Sequence, residues 1–318
     1  GDLLISRSGT VGRAYVHNQH LNGDCAYAGY LVRFVLKTNH KPKYVYYFTK
    51  TPSFFDFIKI SSIESTISNV SGEKYAKMPL IVPPPDEQAA IVRFLDAADQ
   101  RIRRYIRAKQ KLIKLLNEQK QAIIQQAVTK GLDPTVPMKE SGVEWLGEIP
   151  AHWETLPVRR TISFITSGSR GWAKYYSESG DIFVQSGNIG RTMSLQFQNM
   201  FYVEPPSGSE GERTQLERDD VVVCITGALT GNVAHVIEEL PRAYVNQHVA
   251  LLRPKKDLVF PRYLAYVLHS DIGQFQFKLY QYGGTKQGLS LADVRAVLIP
   301  IPEIGEQQSI TAQLDQDT

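Results

Sequence analysis

Between Pro83 and Gly131, apolar residues recur with alternating gaps of four and three: Ile91, Leu95, Ala98, Ile102, Tyr105, Leu112, Leu116 and Ile123, with Lys109 and Gln119 interrupting the stripe. A spacing near 3.5 residues predicts a coiled-coil helix, because a helix packed into a globular core carries a broader stripe. No glycine or proline interrupts Asp86 to Lys130. Pro83-Pro84-Pro85-Asp86-Glu87 places proline in a first turn whose N–H groups lack partners, and places acids at the positive end of the dipole. Gly131 and Pro134 then end the run in the order expected at a helix C-terminus. About 45 residues at 1.5 Å rise would make a rod of roughly 65 Å. Such a stripe needs a facing helix, since alone it would lie in water.

On either side the pattern changes to short β-branched runs with turn punctuation. Val158–Ile165, Asp181–Gln185, Val221–Thr226, Ala234–Ile237 and Val249–Arg253 read as strands, Pro261–Asp271 as a short helix and Val297–Ile301 as a last strand. Before the rod, Leu3–Ser6, Tyr30–Leu36 and Leu80–Val82 read as strands and Pro42–Lys50 as a helix. The class is α+β with irregular loops.

The two halves repeat each other at an offset of 219. Gly12 pairs with Gly231, Pro42 with Pro261, Tyr44 with Tyr263, Tyr47 with Tyr266, Lys59 with Lys278, Glu87-Gln88 with Glu306-Gln307 and Asp96 with Asp315. From Gly12 to Asp96 the alignment needs no gap, whereas Asp2 meets Asp220 after a one-residue shift. Solenoid periods run roughly 20–50 residues, so this is domain duplication. Residues 145–219 have no counterpart in the first copy. The expected organisation is a first unit over 1–82, a long helix over 83–131, a linker over 132–144, a second unit over 145–301 and the start of a second helix over 302–318. The first unit and the second helix are each expected to be partial.

Composition changes this picture little. The hydrophobic share is 42%, and no apolar run reaches the roughly 18–20 residues that span a bilayer. Cys25 and Cys224 sit at non-equivalent repeat positions, which points to reduced thiols and a cytoplasmic setting rather than a disulfide framework. The net charge of +4 tolerates a polyanion without demanding one. From Asp86 to Lys130, ten basic residues face five acidic ones. They read either as the solvated face of a two-helix coil or as a contact for phosphate or an acidic partner.

Candidate chemistry lies in the loops. Ser167–Tyr176 holds Ser169, Arg170, Lys174, Tyr175 and Tyr176; Gln185–Arg191 holds Gln185, Ser186, Asn188 and Arg191; Tyr282–Gly288 holds Thr285, Lys286 and Gln287. Arg and Lys suit guanine edges, Gln and Asn suit adenine, and glycines let backbone approach a sugar-phosphate. Ordinary polar turns would look similar. In the first copy the candidates are Arg7, Ser8, Arg13, Ser65 and Thr66, and there Glu64–Ser68 replaces Gly283–Gln287. Scaffold residues thus repeat while loop chemistry changes. No Gly-x-x-x-x-Gly-Lys-Ser/Thr loop, Asn-Pro-Pro-Tyr-like methyltransferase element or nucleophile–base pair appears. His17 and His20 make a poor metal pair, and Glu73-Lys74 lacks the aspartates of a nuclease. The chain reads as a binder with no cofactor.

Gly142-Val143-Glu144-Trp145-Leu146-Gly147-Glu148-Ile149-Pro150-Ala151-His152-Trp153 closely resembles the segment that opens a target recognition domain in specificity (S) subunits of type I restriction-modification systems. Lys130–Pro134 and the Pro-x-x-x-Glu-Gln-x-x-Ile pattern at Pro83–Ile91 and Pro302–Ile310 resemble the same family. The resemblance implies two target recognition domains joined by two antiparallel helices, reading a bipartite site on double-stranded DNA with the helices setting the spacer. It implies no catalysis, but recruitment of two methyltransferase (M) subunits and, through them, restriction (R) subunits. The stripe residues Ile91, Leu95, Ile102, Tyr105, Leu112, Leu116 and Ile123 would be the partner-binding set. The alternative is a fragment that pairs with another S chain or holds M subunits without reading DNA.

Overall fold

The computed structural model describes residues 1–318 except 19–24, 38, 63–68, 169, 206–207, 282–287 and 318. The chain divides into two compact units, Gly1–Ile113 and Lys114–Thr318.

In the first unit, strands β1 (Leu3–Ser6), β2 (Ala14–Val16) and β3 (Leu31–Phe34) form an antiparallel sheet in the order β2-β1-β3. Helices α1 (Pro42–Phe48), α2 (Pro52–Ser61) and α3 (Gly72–Ala76) follow, the first two opened by proline. Leu3, Ile5, Val45, Phe54, Val70 and Tyr75 form the core, with Phe54 stacked on Tyr75. Helix α4 then runs unbroken for 46 residues, Pro85–Lys130, and contributes its first part to this unit and its last part to the next.

The second unit opens with β4 (Met138–Glu140), β5 (Glu148–Pro150), β6 (Glu154–Pro157), helical turn α5 (Val158–Thr161) and β7 (Ile162–Ser167). Next come β8 (Tyr176–Ser177), β9 (Asp181–Val184), β10 (Phe201–Val203) and α6 (Ser209–Thr214). Strands β11 (Val221–Cys224), β12 (Val233–His235), β13 (Ala243–Val245) and β14 (Val249–Pro254) precede a helical group. That group is α7 (Pro261–His269), α8 (Asp271–Tyr280) and α9 (Leu291–Ala296), followed by β15 (Leu298–Ile301) and α10 (Ile304–Asp317).

Two four-stranded sheets result, β12-β11-β14-β7 and β13-β9-β10-β8, plus the ribbons β15-β6 and β4-β5. Strands β11 and β14 are apolar on both faces because they are sandwiched. Val221, Val223, Ala250 and Leu252 join the helix-side core, and Val222, Cys224, Val249 and Leu251 join the core beneath the other sheet. The distal end of α4 enters the helix-side core through Ile124, Ala127 and Val128.

The repeat extends to single hydrogen bonds. Gln88 accepts from Lys41 N (3.0 Å) and donates to Pro83 O (2.8 Å); Gln307 accepts from Phe260 N (2.7 Å) and donates to Pro302 O (2.8 Å). Tyr44 donates to Ile81 O and Tyr263 to Pro300 O. Gly12 and Gly231 both adopt positive φ, +84° and +94°, and both N–H groups return to the strand before them, at Ser6 O and Cys224 O.

Three expectations require correction. The alignment is not gap-free, because Leu31 and Phe34 occupy the ladder places of Val249 and Leu252, an offset of 218, while β2 and the helices keep 219. The connections on either side of β3 differ by one residue and compensate. Val158 begins no strand; Thr161 Oγ1 donates to Val158 O (3.0 Å) and closes a helical turn, so the strand starts at Ile162. Leu80–Val82 forms no strand. Its counterpart β15 pairs with β6, and the first copy has no equivalent of β6 among the described residues.

Candidate nucleic-acid interface

Two loops of the second unit root on one turn, Asn246–Gln247–His248, between β13 and β14. Asn246 N donates to Val184 O (2.9 Å), at the root of the Gln185 loop. Asn246 O accepts from Gly168 N (3.1 Å), at the root of the Arg170 loop. His248 O accepts from Ile225 N (2.9 Å), and Ile225 O accepts from Leu289 N (2.7 Å) just beyond the third loop. Gly168 has no substitute here: a Cβ would stand 1.8 Å from the Val245 carbonyl oxygen. The sequence reading missed this turn. Its signal was a polar triplet between two apolar strands, with Ala28-Gly29-Tyr30 in the same structural place before β3.

The loops carry the expected residues in different conditions. Arg170, Lys174 and Arg191 are exposed, and Lys174 Nζ sits 4.9 Å from the centre of the Tyr175 ring, itself half-buried. Buried Trp172 stacks on Phe183 and anchors this loop. Tyr176 is exposed and accepts from Gln185 Nε2 (3.0 Å). Ser186 is half-buried. Asn188 is 5% exposed, accepts from Gln185 N (2.9 Å) and donates to Gln196 O (3.1 Å), so its amide braces the loop from within. Arg191, Thr192, Lys120 and Lys278 line a cleft of about 430 Å³ that also contains His269 and Asp271.

In the first unit, Arg7 and Ser8 extend β1, with Arg7 N bonded to Tyr30 O (2.8 Å) and Ser8 bridged to Asn69. They match Ile225 and Thr226, the latter bridged to Gly288. Arg13 is exposed, and its N–H donates to Ser6 Oγ (2.9 Å). Ser65, Thr66, Ser169, Thr285, Lys286 and Gln287 lie outside the described residues.

Burial governs the titratable groups behind the loops. His235 is 7% exposed, and burial, reinforced by Arg262, brings its pKa down to about 4 against the opposing pull of Asp219. Asp219 Oδ1 lies 3.4 Å from its Nε2, too far for a strong hydrogen bond. Burial also lowers His269, with help from Lys120 and Arg262, and raises the Cys224 thiol, which donates to Thr226 O. Asp220, 1% exposed, is gripped by Arg253 through two bonds of 2.9 Å. Among the described residues, no group of three or more His, Cys, Asp or Glu could hold a metal ion, and no helix is long and apolar enough to cross a membrane.

Along α4, Ile91 and Leu95 are half-buried, whereas Ile102, Tyr105, Leu112 and Leu116 are 55%, 64%, 46% and 54% exposed. Ile123 packs against the second unit's core. The Gly142–Trp153 segment ends in the core, where Ile149 and Trp153 are buried. Trp153 is fully buried and its Nε1 donates to Glu306 Oε2 (3.1 Å), which also meets His152 Nε2 (2.8 Å), fastening this segment to the start of α10.

Known proteins resemble this chain in sequence and fold. The chain is 20% identical over 281 residues to the EcoBI specificity subunit of Escherichia coli, an alignment that covers 85% of this chain and 58% of that protein. The chain therefore matches less than two thirds of that relative's length. A chain from a structure described as the structural basis of complex assembly and conformational transition of the type I R-M system superposes with a TM-score of 0.76 at 18% identity. That match covers 99% of this chain and 73% of the other, and it shows the fold: two repeated recognition units and a long helix. The family model described as type I restriction modification DNA specificity domain matches twice, over residues 1–115 and 210–316, so the chain belongs to the type I restriction-modification DNA specificity family.

Proposed function

We propose that this chain is a non-catalytic, DNA-sequence-reading part of a cytoplasmic type I restriction-modification complex. Each unit reads one half of a bipartite duplex site. Helix α4, paired with a facing helix, sets the spacer and docks methyltransferase subunits, which bring the restriction subunits. The observation that carries the reading is a duplicated hydrogen-bond framework holding different side chains at its rim. Thr226, Asn232 and His248 stand where the first unit has Ser8, Arg13 and Tyr30. A fixed scaffold with variable edge chemistry suits two modules of one design reading two targets.

The test exchanges residues 145–301 for those of a relative and maps methylation by the reconstituted complex. One half of the site is expected to change while the other half and the spacer stay. Changes in both halves, or in neither, would exclude independent reading modules.

A further inference from the structure

We infer that Gln247 is a base-reading residue of the second unit, poised for adenine by a relay through His248 and Thr226; this rests on the DNA-reading function proposed above. The turn that carries Gln247 bonds the roots of two candidate loops directly, through Asn246 to Gly168 N and Val184 O, and its His248 carbonyl accepts from Ile225 N just after β11. Gln247 is half-exposed and His248 exposed, while Asn246 is buried and accepts from His248 N (3.0 Å), fixing the turn. The His248 ring bridges two neighbours: Nδ1 bonds the Thr226 hydroxyl, and Nε2 lies 3.1 Å from Gln247 Nε2.

An amide nitrogen only donates, so Nε2 of the imidazole must accept. The proton then resides on Nδ1 and is donated to Thr226 Oγ1. In that tautomer one Gln247 N–H is held by the ring, which orients the amide plane. The carbonyl oxygen and the second N–H remain side by side. That acceptor–donor pair is the complement of the N6–H and N7 edge of adenine in the major groove. A glutamine fixed before binding loses less side-chain entropy on contact than a free one. In the first unit Gly29 and Tyr30 occupy this turn, so the device belongs to one copy and one half-site.

The experiment selects duplexes from a randomised pool with the full chain assembled with its methyltransferase subunits, and compares Gln247→Ala, Gln247→Glu and Thr226→Val. Gln247→Ala is expected to lose discrimination at one A·T pair by about 5- to 150-fold, with preference elsewhere intact. Gln247→Glu should shift that position toward C·G, because a carboxylate accepts from cytosine N4. Thr226→Val, which removes only the orienting hydroxyl, should weaken discrimination at the same pair by less. Unchanged preference in all three overturns the assignment of Gln247 and leaves the DNA-reading function standing. A loss spread evenly over all positions also overturns it. If the unsubstituted assembly shows no sequence preference, the function itself fails, and this inference with it.

Discussion

Tyr266 donates its phenolic hydrogen to Asp315 Oδ1 at 2.6 Å, and Tyr47 does the same to Asp96 Oδ1 at 2.5 Å in the first copy. Each aspartate also holds a cation from the turn before its tyrosine: Arg262 at 2.7 Å and Lys43 at 2.7 Å. Arg262 additionally lies 4.9 Å from the centre of the Tyr266 ring. Burial first, and then the Asp96 bond and charge, push the Tyr47 hydroxyl far above its ordinary range, so it is a donor at all physiological pH. Together these contacts fasten the first short helix after each sheet to the opening turns of the helix that leaves the unit. The direction in which α4 or α10 departs is thereby fixed by side chains rather than by a loop.

Removing the Tyr266 hydroxyl is therefore expected to act locally. A hydrogen bond to a charged acceptor contributes about 1.5–3 kcal/mol, discounted here because Asp315 keeps Arg262 and is itself partly exposed. Tyr266→Phe should cost about 1 kcal/mol and speed amide exchange in α10, while β11 and β14 keep their protection. Uniform loss of protection across the unit would show that the contact does not act on α10 in particular.

Both the repeat and the rod were legible because they are periodic. Identical residues such as Gln88 and Gln307 mark buried side chains that bond backbone, and backbone does not vary. The register of β3 was not legible, since compensating one-residue gaps leave the flanking identities in place. The Gly142–Trp153 segment carries the resemblance to the family in the sequence, and its Trp153 is buried against the start of α10. The hub at Asn246–His248 was hidden because its partners lie at Gly168, Val184 and Ile225, brought together only by the sheets. Asn188 was a candidate by residue type alone, while its burial and its bonds to Gln185 N and Gln196 O arise only from the fold of the loop.

The Arg253–Asp220 pair gives a sharper stability test. Burial raises the Asp220 carboxyl against the pull of Arg253, which also bonds Glu217 at 2.7 Å. Truncating one partner of a buried ion pair typically costs about 3–5 kcal/mol, because the other charge is left without compensation. Arg253→Met should fall in that range by urea denaturation. The double variant with Asp220→Leu should regain much of the loss. Equal losses in the single and double variants would mean that the methionine itself, not the stranded carboxylate, is responsible.

His235 makes stability depend on pH. Its folded pKa of about 4 lies below the ordinary 6.5, so the unfolded chain binds the extra proton first. The stability associated with the neutral ring is complete above pH 6.5 and is lost as pH falls toward 4. The full difference corresponds to roughly 3 kcal/mol. His235→Gln should flatten the stability profile of the second unit between pH 6.5 and 4. A profile as steep as that of the unsubstituted chain would assign the acid sensitivity to other groups.

The exposed part of the α4 stripe carries the last prediction. Ile102, Tyr105, Leu112 and Leu116 are about half in water, and fully burying one such side chain is worth roughly 1.5–3 kcal/mol, so a facing helix would be held by several kcal/mol. Leu112→Asp with Leu116→Asp should abolish pairing with that helix, read by assembly with methyltransferase subunits, while thermal melting shows both units still folded. If the paired helices set the spacer, lengthening both by one heptad adds about 10 Å of rise. At 3.4 Å per base pair that distance corresponds to roughly three base pairs. Sites whose halves stand about three pairs further apart should then be methylated in preference to the original spacing, with both half-sites unchanged. An unaltered spacer in the lengthened assembly would show that something other than this helix measures the distance.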